Sequence, residues 1–335
     1  MVDANLVSVV IPTYNAERFL ARTLETALGQ SYTSLEIIVV DDGSTDGSQQ
    51  IAEAAARKDP RVRYFRRKNS GVAASRNFGI SQARGELIAT LDADDLWNPD
   101  KIARQVDVMR RSSSEVGLVY CLAIEIDESD LIIPPIANLE KKRTPMGRVT
   151  DELVLGNFIE TSSAPLMKRS FIEAVGGYDK DLEPQGAEDW KLYFSLSEVC
   201  EFAVIPEHLV GYRQPTGSLS RNTLRMAHSI DLVRCWILER RPDLSLKLRR
   251  LMVYYASVFM AQRSLDNGEF GLALRYSARG YRAYPKGLLE RPLRAFVLRF
   301  SARFLGVRRG VLRKRGIIHQ VKFSEFRAQH FSTGM

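Results

Sequence analysis

Residues 35–48 read Leu-Glu-Ile-Ile-Val-Val-Asp-Asp-Gly-Ser-Thr-Asp-Gly-Ser. The aliphatic, largely β-branched run Leu35 to Val40 predicts a strand covered on both faces, as in a parallel sheet. The acidic segment after it predicts a loop at that strand's carboxyl end. The same pattern stands upstream, where Leu6 to Ile11 runs into Pro12-Thr-Tyr-Asn15, and downstream, where Glu86 to Leu91 runs into Asp92-Ala-Asp-Asp95. Between these segments, Phe19, Leu20, Leu24, Ala27 and Leu28 are spaced for a helix over Ala16 to Gln30. A second helix runs to about Arg57, Val62 to Phe65 forms a short strand, and Gly71 to Ala83 forms a third helix. Strand, polar loop and helix thus recur four times, which predicts a doubly wound α/β sheet. Such sheets bind ligands at the carboxyl ends of their strands, so the loops at 12–15, 41–48, 66–71 and 92–95 are expected along one edge.

The 335-residue chain has room for one large domain or for a catalytic domain with an appendage. With 45% hydrophobic and 26% charged residues it has the composition of a water-soluble protein with a sizeable core, which excludes disorder. The longest uncharged run near the C-terminus, Leu251 to Ala261, is far shorter than the ~20 residues of a membrane span. Met1-Val-Asp-Ala-Asn5 lacks a basic leader, so no signal peptide is expected and the expected location is the cytoplasm. Cys121, Cys200 and Cys235 are odd in number and far apart, against a disulfide framework or structural zinc.

The charge is divided unevenly. Residues 221–335 hold 24 Lys and Arg against 7 Asp and Glu, whereas residues 1–220 hold 24 against 33. The shift predicts a boundary near residue 220 and a basic, mainly helical extension over 221–335. Residues 128–150, with Pro134-Pro135 and Lys141-Lys142-Arg143, predict an irregular loop over the sheet edge. Short strands are expected from 157 to 213 around one helix containing Glu188-Asp189-Trp190.

Asp92 and Asp94, close together at a strand end, repel one another unless a cation or ligand compensates. Oxygen donors of this kind select Mg2+ or Mn2+, and Mg2+ completes its shell with water and phosphate oxygens, so a phosphorylated ligand is implied. Asp46 and Ser48 read as turn and cap residues.

The segments Val7 to Asn15, Glu36 to Asp46, Asn69 to Asn77, Gly85 to Asp95, Gly176-Gly-Tyr-Asp179 and Glu188-Asp-Trp190 resemble, in order and spacing, glycosyltransferase family 2. The resemblance covers about residues 5–215. It implies the GT-A fold over residues 1–220, a nucleotide-diphosphate sugar donor, and inverting transfer to a hydroxyl. Pro12, Tyr14, Asn15 and Glu17 resemble the family's first nucleotide-binding segment. Asp41 matches the carboxylate that accepts a hydrogen bond from the nucleobase, with Asp42 ordering the loop or reaching the ribose. Asn69 and Arg76 stand where donor contacts are expected. Asp94 is implied as the metal ligand, with Asp92 on the ribose or a bound water. In Glu188-Asp189 the second residue is implied as general base.

Two departures bear on the product. The Gln-x-x-Arg-Trp motif of processive members is replaced by Tyr212-Arg-Gln-Pro-Thr-Gly-Ser-Leu-Ser220, so single transfer is expected. In that segment Arg213 could bring positive charge to the donor diphosphate as Tyr212, Arg213 and Ser218 close over it. Thr161-Ser-Ser163 could border the acceptor. Leu246 to Pro285 predicts a helical hairpin around Asn267-Gly268, and Leu293, Phe296, Val297, Phe300 and Phe304 form an apolar stripe among arginines. Such a stripe fits an anionic membrane surface, and with it a lipid-linked or polysaccharide acceptor. No nucleic acid is expected as a partner. A catalytically silent nucleotide-sugar-binding scaffold and a sugar nucleotidyltransferase stay open as alternatives. The latter wants a glycine-rich phosphate loop after the first strand, which Pro12-Thr-Tyr-Asn15 does not provide.

Overall fold

The aliphatic runs of the N-terminal half lie side by side in the structure, a computed structural model that describes residues 3–133, 144–182, 186–213, 222–289 and 322–323. In chain order the first elements are β1 (Asp3–Thr13), α1 (Leu20–Leu28), β2 (Leu35–Asp41), α2 (Ser48–Lys58), β3 (Val62–Arg66), α3 (Val72–Gln82) and β4 (Gly85–Thr90). Next come β5 (Leu96–Trp97), α4 (Lys101–Arg111), β6 (Val116–Ile126), α5 (Thr150–Leu155), β7 (Leu166–Lys168), α6 (Arg169–Ala174), α7 (Glu188–Ser197) and β8 (Glu201–Arg213). Helices α8 (Thr223–Arg240), α9 (Leu246–Asp266) and α10 (Phe270–Ala283) close the series.

All eight strands form one sheet in the order β3-β2-β1-β4-β7-β6-β8-β5. The first four are parallel, β7 runs antiparallel to both neighbours, and β6 pairs parallel with β8. Every residue of β2 is buried, as its composition requires. Register brings Thr13 opposite Asp41 and Asp41 opposite Arg66, while Val10 pairs with Thr90. The carboxyl ends of β1, β2, β3 and β4 therefore share one edge, and the loops at 13–17, 41–48, 66–71 and 91–95 rise from it.

Three boundaries differ from expectation. Strand β1 continues through Pro12 to Thr13, because its pairing with β4 ends at Val10 and the missing proline N–H leaves no partner wanting. Helix α1 begins at Leu20, not Ala16, because residues 15–17 are hydrogen-bonded to the loop at 44–48. Among the described residues between 157 and 213 there are two strands, not several short ones, and β8 is 13 residues long with a register irregularity opposite Cys121 to Ala123.

The α9–α10 hairpin turns at Asn267-Gly268, with Gly268 at φ +79°. Its own small core is Tyr254, Val258, Ala261, Leu265 and Ala273. On the other side, Met252 and Met260 of α9 join the main core, so the pair is packed on the rest of the protein. No helix among the described residues is long and apolar enough to cross a membrane. The stripe from Leu293 to Phe304, Ser218, and the segment with Pro134-Pro135 and Lys141-Lys142-Arg143 lie outside the described residues.

Candidate active site

The loops after β1 and β2 are joined by side-chain-to-backbone hydrogen bonds. Asn15, in the left-handed region at φ 49°, accepts from Thr45 N at 2.8 Å and donates its own N–H to Ser44 Oγ at 3.0 Å. Glu17 accepts from Gly47 N at 2.8 Å, and Asp46 accepts from Glu17 N at 3.0 Å. Asp41, wholly buried, accepts from Ser44 N and from the Tyr64 hydroxyl, both at 2.8 Å. Asp42 receives Ser70 N at 2.9 Å and Gly71 N at 2.8 Å, which clamps the loop leading into α3. Asn15, Glu17, Asp41 and Asp42 are thus bound into the rim, while Tyr14 and Asn69 stand exposed upon it.

The loop after β4 is pinned from several sides. Thr23 Oγ1 lies 3.0 Å from Ala93 O and 2.9 Å from Asp95 O. Asp95, fully buried, accepts from Thr161 Oγ1 at 2.9 Å, Ser163 Oγ at 2.6 Å and Arg213 N at 2.9 Å. Ser163 Oγ also accepts from Asp92 N at 3.0 Å. Thr161 and Ser163, expected beside an acceptor, turn inward to hold this loop. Half-buried Asp94 has its pKa pushed up to about 7, first by burial and then by the charge of Asp92. Burial pushes Asp95 up as well, with Asp94 the next cause.

Arg76 joins this loop to α7. Its guanidinium donates to Asp92 Oδ1 at 2.7 Å and to Glu188 Oε1 at 2.6 Å, and it lies over the Tyr178 ring at 5.2 Å. Neighbouring Asn77 brackets Tyr178, accepting from its N–H at 2.8 Å and donating to its carbonyl at 2.7 Å. A Cβ on Gly177 would stand 2.7 Å from Asn77 Oδ1, which accounts for the glycine of the Gly-Gly-Tyr-Asp segment. Arg76 Nε and the Tyr193 hydroxyl are buried here without a hydrogen-bond partner.

Helix α7 opens after Gly186 (φ +96°) and Ala187 (φ +64°), a backbone bend that carries Glu188 and Asp189 into its first turn. Trp190 Nε1 anchors it to Leu153 O at 2.8 Å. Asp189 accepts from Trp190 N at 2.7 Å and from Asn157 Nδ2 at 3.2 Å. Burial, then the charge of Glu188, pushes its pKa up to about 7. Asn157 carried no motif, and nothing in its sequence context marks it.

Arg213 departs from the expected mobile, diphosphate-facing role. Its guanidinium is buried and bonded inward, to Asp94 O at 2.8 Å, to Asp127 O and to Asp130. The Asp92 and Asp94 pair fits a divalent cation. Two neighbouring carboxylates are hard donors, and Asp94, pushed up first by burial and then by the charge of Asp92, is a group whose ionised form a cation would favour. No group of three or more His, Cys, Asp or Glu that could hold a metal ion is found among the described residues, so a cation at this pair would need water or phosphate oxygens to complete its shell.

Comparisons with known proteins bear on the family and the fold. The sequence pattern described as "Glycosyl transferase family 2" matches residues 8–176. The glycosyltransferase GlyG of Streptococcus pneumoniae is 30% identical over 247 residues, covering 69% of this chain and 78% of that protein. The chondroitin synthase of Escherichia coli is 32% identical over 203 residues, 59% of this chain but 27% of that protein, so the chain matches only a part of it. Among solved structures, the mannosyltransferase PcManGT of Pyrobaculum calidifontis, in complex with GDP-Man and Mn2+, superposes with a TM-score of 0.58 at 21% identity. The match covers 91% of this chain and 84% of that one. S. aureus TarS 1-349 in complex with UDP-GlcNAc gives 0.53 at 16% identity, covering 84% and 92%. These structural likenesses share the mixed α/β fold.

Proposed function

This chain belongs to glycosyl transferase family 2, and we propose that it moves one sugar from a nucleotide-diphosphate donor to a hydroxyl with inversion at the anomeric carbon. One relationship carries the proposal. Arg76 ties Asp92, on the loop after β4, to Glu188, the immediate neighbour of Asp189. A donor-side carboxylate and a basic carboxylate are thereby held close, as displacement at one carbon demands.

On the donor side, Tyr14 and Asn69 meet the nucleotide on a rim shaped by Pro12, Asn15, Glu17, Asp41 and Asp42. Asp94, with Asp92 beside it, would hold Mn2+ or Mg2+, which would supply positive charge to offset the negative charge on the leaving diphosphate. On the other side, Asp189 takes the acceptor hydroxyl's proton as the new C–O bond forms and the bond to the diphosphate breaks. Its raised pKa suits that task near neutral pH. Asp189 Oδ2 accepts from exposed Asn157, and on this reading it is the oxygen that receives the acceptor's proton.

We assign residues 1–220 to the catalytic domain and 221–335 to a helical extension. The surplus of Lys and Arg in the extension supports peripheral contact with an anionic membrane at the cytoplasmic face, and a lipid-linked or polysaccharide acceptor in cell-surface polysaccharide synthesis. Incubation with UDP-, GDP- and dTDP-sugars plus Mn2+ tests the proposal. Release of free nucleoside diphosphate is expected with one of them. Binding without release would make the chain a silent scaffold.

A further inference from the structure

Arg213 is the last residue of β8, and its contacts are unusual in number and direction. Its backbone N–H donates to Asp95 Oδ1 at 2.9 Å. Its Nε donates to Asp94 O at 2.8 Å, and its two Nη atoms donate to Asp127 O and Asp130 Oδ1. The guanidinium also lies 4.7 Å from the centre of the Phe19 ring. Asp130 is itself fixed. It sits at φ 64° in the turn after β6 and accepts from Arg22 Nε of α1 at 3.1 Å. Asp127 Oδ1 closes that turn by accepting from Ser129 N and Leu131 N.

We propose that Arg213 is a positioning residue: clamped by Asp130 and Asp95, it holds the backbone between Asp92 and Asp95 from behind and so sets where Asp92 and Asp94 present their carboxylates. Arg213 grips the Asp94 carbonyl directly. Through Asp95 and Ser163 the same arrangement reaches the Asp92 N–H, and Thr23 secures the carbonyls of Ala93 and Asp95. The loop's backbone is thus held by α1, by the 161–163 turn and by β8. A planar guanidinium satisfies three acceptors in fixed directions, which an ammonium does not. The device serves catalysis only if Asp92 and Asp94 face the donor's diphosphate and cation, as proposed above.

Calorimetry with UDP and with GDP, each with and without Mn2+, tests the brace on full-length protein. Arg213→Lys keeps the charge and loses the fork. Asp130→Asn keeps the turn but removes the clamp's charge and leaves one acceptor for the two arginines, Arg213 and Arg22, that share it. Both are expected to lower the Mn2+-dependent gain in nucleotide affinity about tenfold or more, while metal-free affinity stays at the wild-type value. A merely structural residue would lower the melting temperature and leave the Mn2+-dependent gain unchanged, and that result overturns the proposal. Asp94→Ala separates the two assignments. If it abolishes the gain while both brace variants keep it, the brace is wrong and the cation site stands. If it too keeps the gain, the cation does not bind this loop, and the brace falls with the site.

Discussion

Asp92 and Glu188, far apart in sequence, share one guanidinium: Arg76 lies between them at 2.7 and 2.6 Å and is itself almost wholly buried. The contact ties the end of a central strand to the start of α7. It also keeps a cation among carboxylates that would otherwise repel, which is why the Arg76 guanidinium is held well above its ordinary pKa despite burial.

Removing that cation leaves buried charge uncompensated. Arg76→Met is expected to destabilise the fold by about 3–5 kcal/mol in urea denaturation. Adding Glu188→Gln to it should recover part of the loss, because one stranded charge is then gone. A double variant no more stable than the single one would show that the bridge is energetically idle.

Activity should follow the ionisation of Asp189. With donor and metal saturating, kcat is expected to rise with pH through about 7 and level off above it, since only the carboxylate accepts a proton. A flat profile between pH 5 and 9 would remove Asp189 as base.

Stability should carry the opposite sign at the same residue. Burial lifts the Asp189 carboxyl from 3.8 to about 7, so the folded state holds its proton more tightly than the unfolded chain. Below 3.8 both states are protonated and the side chain contributes nothing. As pH rises from there to about 7, folding is progressively penalised, and above 7 the whole penalty is present. Melting curves of Asp189→Asn should match wild type near pH 4 and rise above it increasingly up to about pH 7. A constant gap across that range would contradict the shift.

Helix α3 carries Arg76 and lies close on β1. A Cβ on Gly79 would stand 2.3 Å from Val10 Cγ1, inside a filled core. Gly79→Ala is therefore expected to cost about 1–3 kcal/mol by overpacking, and to weaken donor binding by displacing Arg76. Thermal melts and nucleotide titration of the same variant check both.

The parts of the fold visible in the sequence were those dictated by burial alone. Apart from the hydrogen-bonded pair Ser8 and Glu36, Val7 to Ile11 and Leu35 to Val40 are aliphatic because both sheet faces are covered, and the polar loops after them follow from strand direction. The length of β8 was hidden because exposed Pro206 and half-buried Glu207 interrupt its apolar run at the irregularity opposite β6. In the candidate site, the carboxylates at 41–42 and 92–94 stand out in the sequence by their place after aliphatic strands, and those at 188–189 by the family resemblance. Their partners do not. The links from Arg76 to Glu188, Asn157 to Asp189 and Arg213 to Asp94 join residues distant in sequence and leave no periodic trace. Arg213 also shows the opposite error: a cation beside a flexible-looking segment invited a role at the mouth, whereas two backbone carbonyls and the Asp130 carboxylate hold its guanidinium inside.

Asp189→Asn offers the sharpest trial, with transfer and donor affinity measured on one preparation once the donor is known. The substitution keeps the side chain's shape and removes its capacity to accept a proton. Transfer should be abolished while calorimetry returns a donor affinity close to wild type. A variant that turns over at the normal rate would contradict the account at its centre.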